Sequence, residues 1–128
     1  MNEADIKKLL REANDSVPKV SFEEAVNIIS STNTLIIDVR ETSEIEATGL
    51  IKNAVNIPKS IIDANFDNPL IKNHLNENDE KTILVYCAVG IRSALVAHKL
   101  IKNGYKKVLN LGGFAEWVSH NGPIETIN

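Results

Sequence analysis

Cysteine is nearly absent from this 128-residue chain, which contains only Cys87. No disulfide can form within the chain, so any group that Cys87 acquires must pass to another molecule. The three histidines, His74, His98 and His120, stand at metal-ligand spacing neither with one another nor with Cys87. We therefore predict neither a structural metal nor a cofactor.

The sequence also lacks an excess of basic charge and a long apolar run. Its formal net charge is -3, whereas nucleic-acid binders normally carry a basic patch that displaces counterions from phosphates. No apolar run approaches the length that crosses a bilayer. The segment Met1–Asp5 is acidic and lacks the basic and apolar regions of a secretory signal. We therefore predict a cytoplasmic protein that binds neither nucleic acid nor membrane.

The residues that are present alternate between strand and helix patterns. Short aliphatic runs typical of buried parallel strands occur at 35–37, 54–57, 82–86 and 108–111. Helical patterns occur at about 21–29, in two short helices within 59–78, at 93–103 and around Trp117. Ser21 and Glu24 match a capping box, Gly49 suits a helix C-cap, and Pro69 suits a helix start. This alternation predicts the α/β class with a mainly parallel sheet.

An amphipathic helix is predicted at the amino terminus. Ile6, Leu9, Leu10 and Ala13 recur at helical spacing, and residues 15–18 then interrupt the pattern. The apolar face either packs on its own domain, which we favour, or docks a partner or a second copy of the chain.

Cys87 is placed where the strand at 82–86 gives way to a helix. Ligands of open α/β sheets bind at the carboxyl ends of strands, and the first amides of a helix have no intrahelical partner. The helix dipole adds positive charge there, so we expect the pKa of Cys87 to lie below that of a free thiol. In the loop, Gly90 lets the backbone turn its amides inward, Arg92 offers a planar cation for an anion, and Ser93 can cap the helix.

A lone cysteine after an aliphatic strand also has a purely structural interpretation, as a small buried hydrophobe. Because Gly90 and Arg92 share its short loop, we favour a reactive Cys87.

The segment from Cys87 through Ala88, Val89, Gly90, Ile91 and Arg92 to Ser93 resembles the active-site loop of single-domain rhodaneses. Three further motifs are similar to the family in order and spacing: Asp38-Val39-Arg40 with Glu41 and Glu44, Gly49-Leu50-Ile51 with residues 54–58, and residues 111–114 with Trp117. Leu50 and Asn53 stand where the family usually has His and Gly, so altered packing or partner contacts are expected there. The resemblance covers about residues 18–120. It predicts an N-terminal helical extension at 1–17 and a rhodanese-like domain at 18–128.

The resemblance implies a three-layer α/β/α fold around a five-stranded, mainly parallel sheet with the order 1-5-4-2-3. This order places strand 34–38 beside strand 82–86, with the switch point between them. Asp38 and Arg40 would then lie near the loop in supporting, structural roles, and Arg40 is expected to pair with Glu44.

The function that the resemblance implies is sulfur transfer. The Cys87 thiolate would attack the outer sulfur of thiosulfate or of a persulfide, and the loop amides from Ala88 to Arg92 would stabilise the resulting persulfide. Cyanide, a thiol or a protein cysteine would then accept the sulfur.

Two other functions stay open. The domain can act as a persulfide carrier or as a non-catalytic module that binds a protein partner. It can also be a dual-specificity-type phosphatase, although only four residues separate Cys87 from Arg92, one fewer than in that phosphatase loop. The tighter loop suits a sulfur atom better than a phosphate.

Overall fold

A four-stranded parallel sheet forms the centre of the protein, as seen in a computed structural model that describes residues 2–75 and 81–127. Its strands are Thr34–Asp38 (β1), Val55–Asn56 (β3), Thr82–Cys87 (β4) and Val108–Gly113 (β5). They lie in the order β3-β1-β4-β5 and all pair in parallel. A separate antiparallel pair joins Leu50–Ile51 (β2) to Ile124–Glu125 (β6).

Helices cover both faces of this sheet. Their bounds are Glu3–Ser16 (α1), Phe22–Ser31 (α2), Thr42–Thr48 (α3), Lys59–Ala64 (α4), Pro69–Lys72 (α5), Ile91–Lys102 (α6) and Phe114–Ser119 (α7). Successive side chains of a strand point to opposite faces. Ile37 of β1 therefore packs in one core with Val96 of α6, whereas Ile36 packs in a second core with Trp117 of α7. Two cores separated by one sheet confirm the predicted α/β/α layers.

The predicted fifth strand is reduced to a single bridge, so the expected strand count was wrong. Lys19 forms one isolated parallel bridge with Asn110, beside β5. The four regular strands and this bridge keep the expected neighbours. Residues 18–20 do not form a longer strand, because α1 ends at its C-cap Val17 and α2 begins after its N-cap Ser21. In addition, Pro18 has no amide hydrogen to donate to a neighbouring strand.

Most of the locally predicted features are present. Ser21 and Glu24 form the capping box, Gly49 ends α3 with φ +79°, and Pro69 begins α5. Helices α4 and α5 occupy the predicted stretch 59–78, of which residues 76–78 lie outside the described residues. The β2–β6 pair was not predicted from the sequence.

Helix α1 packs on α6. Ala13 is fully buried, and Ser16 Oγ lies 2.7 Å from His98 Nδ1 on α6. Within residues 2–75 and 81–127, no helix combines the length and the apolar character needed to cross a membrane.

Candidate active site at the end of strand β4

Cys87 is the last residue of β4, in the middle of the sheet. Its loop is shorter than predicted, because α6 begins at Ile91 rather than at Ser93. Arg92 and Ser93 therefore belong to the first turn of α6. Gly90 caps this helix in the left-handed region, with φ +100°, where other residues are strained. A Cβ atom on Gly90 would also stand 3.3 Å from Gly112 Cα of β5, so glycine allows the loop to pack close to the sheet.

Backbone amides point at the sulfur. The Gly90 N–H donates to Cys87 Sγ at 3.0 Å, and the Ser93 N–H donates to it at 3.4 Å. Ser93 Oγ also lies 3.4 Å from the sulfur. The inward-pointing amides expected around Cys87 are thus present, although one of them belongs to Ser93, just beyond the predicted range.

The pKa of Cys87 is lowered by this environment. The largest effect is burial, which raises the pKa because the residue is only 1% exposed. The Ser93 hydroxyl and the amides of Ser93, Gly90 and Val89 act in the opposite direction, and together they outweigh burial. The site therefore favours a thiolate that is shielded from water.

Asn110 of β5 bonds to the start of α6, a role that the sequence analysis missed. Its Oδ1 accepts from Ser93 Oγ at 2.8 Å and from the Gly112 N–H at 2.9 Å. Its Nδ2 donates to the Gly90 carbonyl at 3.2 Å. The signal in the sequence was Asn110 itself, a polar residue within the aliphatic run 108–111. A buried side-chain amide needs hydrogen-bond partners, so such a residue indicates a polar contact in the core. Ser93 is correspondingly not the helix cap that was predicted, because its side chain faces Cys87 and Asn110.

The side chain of Arg92 is held by a carboxylate. Its Nη1 and Nη2 donate to Glu44 Oε1 and Oε2 at 2.6 and 2.9 Å. These bonds raise the pKa of Arg92 against the effect of burial, and a nearby Cys87 thiolate raises it further. The pKa of Glu44 is lowered to about 2, chiefly by Arg92. The prediction that Glu44 pairs with Arg40 was wrong, because α3 presents Glu44 to α6 instead.

Arg40 pairs with Asp38. Its Nη2 donates to Asp38 Oδ2 at 2.8 Å, and it also donates to Thr48 Oγ1 and to the Gly49 carbonyl. The guanidinium stacks over the Phe114 ring at 4.3 Å from its centroid. These contacts join the end of β1 to the carboxyl end of α3 and to α7.

The remaining loop side chains are apolar. Val89 is 72% exposed and Ile91 is 50% exposed, whereas Ala88 is partly buried. Among the residues that the structure describes, no group of three or more His, Cys, Asp or Glu side chains is arranged to hold a metal ion.

These features define a class of protein: a three-layer α/β domain with a buried cysteine at the carboxyl end of a central strand, its sulfur bound by backbone amides of the following loop and helix. The family profile of the rhodanese-like domain matches residues 21–120. The chain belongs to the rhodanese-like family, and several of the relatives that it matches are named for sulfur transfer.

Two relatives and one solved structure show how far this similarity extends. The chain is 36% identical over 104 residues to the putative sulfur carrier protein YrkF of Bacillus subtilis, covering 80% of this chain and 51% of that one. It is 31% identical over 104 residues to the thiosulfate sulfurtransferase GlpE of Coxiella burnetii, covering 80% of this chain and 89% of that one. Protein RPA3614 of Rhodopseudomonas palustris, described as a possible tyrosine phosphatase, superposes with a TM-score of 0.79 at 31% identity, covering 94% of this chain and 93% of that one. The chain thus spans about half the length of YrkF and nearly all of GlpE.

Proposed function

We propose that the protein is a sulfurtransferase in which Cys87 carries a sulfane sulfur as a persulfide. The observation that supports this most directly is the set of N–H groups directed at Cys87 Sγ, from Gly90 at 3.0 Å and from Ser93 at 3.4 Å. Backbone amides stabilise a thiolate, and the same groups suit the negative charge of a persulfide.

The proposed reaction has two half-reactions. The Cys87 thiolate attacks the outer sulfur of a donor, and the bond between the donor's two sulfur atoms breaks. The leaving group departs with that electron pair as sulfite or as a thiolate. An acceptor thiol, a protein cysteine or cyanide then attacks the outer sulfur of the Cys87 persulfide and regenerates the thiolate. Ping-pong kinetics are expected from such a covalent intermediate.

Burial of Cys87 limits what can reach it. Because the residue is 1% exposed, a donor must present its outer sulfur through the loop. A terminal sulfur atom meets this requirement more easily than a tetrahedral phosphate ester does. We accordingly propose sulfur transfer over the phosphatase activity suggested by the description of RPA3614.

Mass analysis of the intact protein after treatment with a persulfide donor tests the proposal. Wild-type protein should gain one sulfur atom and lose it again on addition of cyanide or a thiol, and Cys87→Ser should gain none while keeping the wild-type circular dichroism spectrum. A protein that takes up no sulfur, or a Cys87→Ser variant that transfers sulfur at the wild-type rate, would refute the mechanism. Hydrolysis of p-nitrophenyl phosphate by wild type but not by Cys87→Ser would favour the phosphatase instead.

A carrier role is the second candidate, and the 36% identity to a putative sulfur carrier protein favours it. A carrier would form the same Cys87 persulfide but release sulfur slowly to cyanide and rapidly to a specific protein thiol. The two roles are separated by the rate of the second half-reaction with small acceptors. Docking of a partner or of a second copy of the chain through α1 stays a prediction.

A further inference from the structure

We propose that Glu44 determines donor specificity, by neutralising Arg92 and thereby favouring an organic persulfide over the thiosulfate dianion. This inference rests on the proposed sulfurtransferase function and adds the class of donor. It starts from the bidentate ion pair between the two side chains, at 2.6 and 2.9 Å.

The ion pair is built into the fold rather than formed by chance on the surface. The Glu41 N–H donates to Glu44 Oε1 at 3.1 Å, so the carboxylate is oriented by α3 as well as by Arg92. Both side chains are about one third exposed, at 33% for Glu44 and 34% for Arg92. With a pKa of about 2, Glu44 is ionised throughout the neutral pH range. Two parallel N–H···O bonds hold the guanidinium in one orientation.

Ion pairing leaves neither Arg92 nor Arg40 with an uncompensated charge that could attract a dianion. Arg92 would otherwise be the cation beside Cys87, and its carboxylate partner cancels its charge. Arg40, the other arginine expected near the site, is 2% exposed and paired with Asp38. A thiosulfate ion entering this site would give up hydration without gaining an arginine whose charge is uncompensated, which is unfavourable.

The exposed part of the loop suits a less charged donor. Val89 and Ile91 are 72% and 50% exposed, so the loop that follows Cys87 presents apolar side chains to solvent. An organic persulfide, R–S–SH, can place its carbon chain on this surface. Attack by the Cys87 thiolate on the outer sulfur then forms Cys87–S–SH, and the inner sulfur departs with the bonding electron pair as R–S⁻.

The test compares thiosulfate with an alkyl persulfide as donor in the same cyanide assay. For wild type we expect kcat/KM to be at least tenfold higher with the alkyl persulfide. Glu44→Gln keeps the shape of the side chain but removes its charge, so it should raise kcat/KM for thiosulfate about tenfold relative to the alkyl persulfide. Glu12→Gln, which removes an exposed carboxylate from α1, is the matched control and should leave the ratio unchanged.

A ratio that Glu44→Gln does not change, or a wild-type preference for thiosulfate, would overturn the inference. If Glu44→Gln does not fold, the salt dependence of the wild-type enzyme decides. An Arg92 neutralised by Glu44 predicts that kcat/KM for thiosulfate does not fall as ionic strength rises. A steep fall would refute the inference. Failure of both donors to load sulfur onto Cys87 would instead refute the proposed function itself.

Discussion

Replacing Ser93 with alanine tests how the protein stabilises the thiolate of Cys87. Ser93 is fully buried, and its hydroxyl lies 3.4 Å from Cys87 Sγ and 2.8 Å from Asn110 Oδ1. Alanine removes this hydroxyl but retains the backbone N–H that donates to the sulfur. The variant therefore separates the side-chain contribution from that of the backbone amides.

The size of the effect follows from these distances. A hydrogen bond to a charged group contributes about 1.5–3 kcal/mol. The Ser93 hydroxyl has one proton, and Asn110 at 2.8 Å competes with Cys87 Sγ at 3.4 Å for it, so we expect a value just below that range. About 1.4 kcal/mol corresponds to a tenfold lower ratio of thiolate to thiol. The pKa of Cys87 should rise in Ser93→Ala.

The assay is the rate of alkylation by iodoacetamide as a function of pH. In Ser93→Ala the inflection should move to higher pH and the rate near neutral pH should fall up to about tenfold, while the plateau at high pH stays the same. Ser119→Ala, which removes an exposed hydroxyl from α7, is the control. A Ser93→Ala profile that coincides with wild type would show that the backbone amides alone set the pKa, contrary to our reasoning.

Two further predictions concern stability. Asp38→Asn leaves the 2%-exposed Arg40 without a counter-charge, so it should lower the free energy of unfolding by about 3–5 kcal/mol and Tm by at least roughly 10 °C, measured by urea and thermal denaturation. The lowered pKa of Cys87 means that the unfolded state binds more protons, so stability should rise with pH. As the pH rises from the pKa of Cys87 in the folded protein to the ordinary value of about 8.5, wild type should therefore become more stable relative to Cys87→Ser. Urea titrations at pH 6 and pH 9 measure this difference.

Each of these two stability predictions has an outcome that would contradict it, and Asp67→Asn is the control for the first. Asp67 is 88% exposed and pairs with Lys72 at 3.7 Å, so Asp67→Asn should change stability by less than about 0.5 kcal/mol. Equal stability of Asp38→Asn and Asp67→Asn would show that the buried pair is not structural. A constant stability difference between wild type and Cys87→Ser across that pH range would contradict the lowered pKa of Cys87.

Local signals in the chain were sufficient for the elements that short stretches determine. The Ser21–Glu24 capping box, the Gly49 helix end and the aliphatic β4 each depend on a few consecutive residues, and all are present. The position of Cys87 at the end of β4 follows from the same patterns. The two-residue strands β2 and β6 were missed because Leu50–Ile51 and Ile124–Glu125 are too short for any periodicity and pair only through the tertiary fold.

The sequence by itself determined the α/β class, the strands of the central sheet and the position of the cysteine just before a helix. Only the tertiary structure decided which partners the site residues have. Glu44 is four residues from Arg40 but pairs with Arg92, 48 positions away, and Asn110 reaches Ser93 across 17 positions. Such pairings depend on how α3, α6 and β5 pack around the sheet, and no local spacing encodes that arrangement.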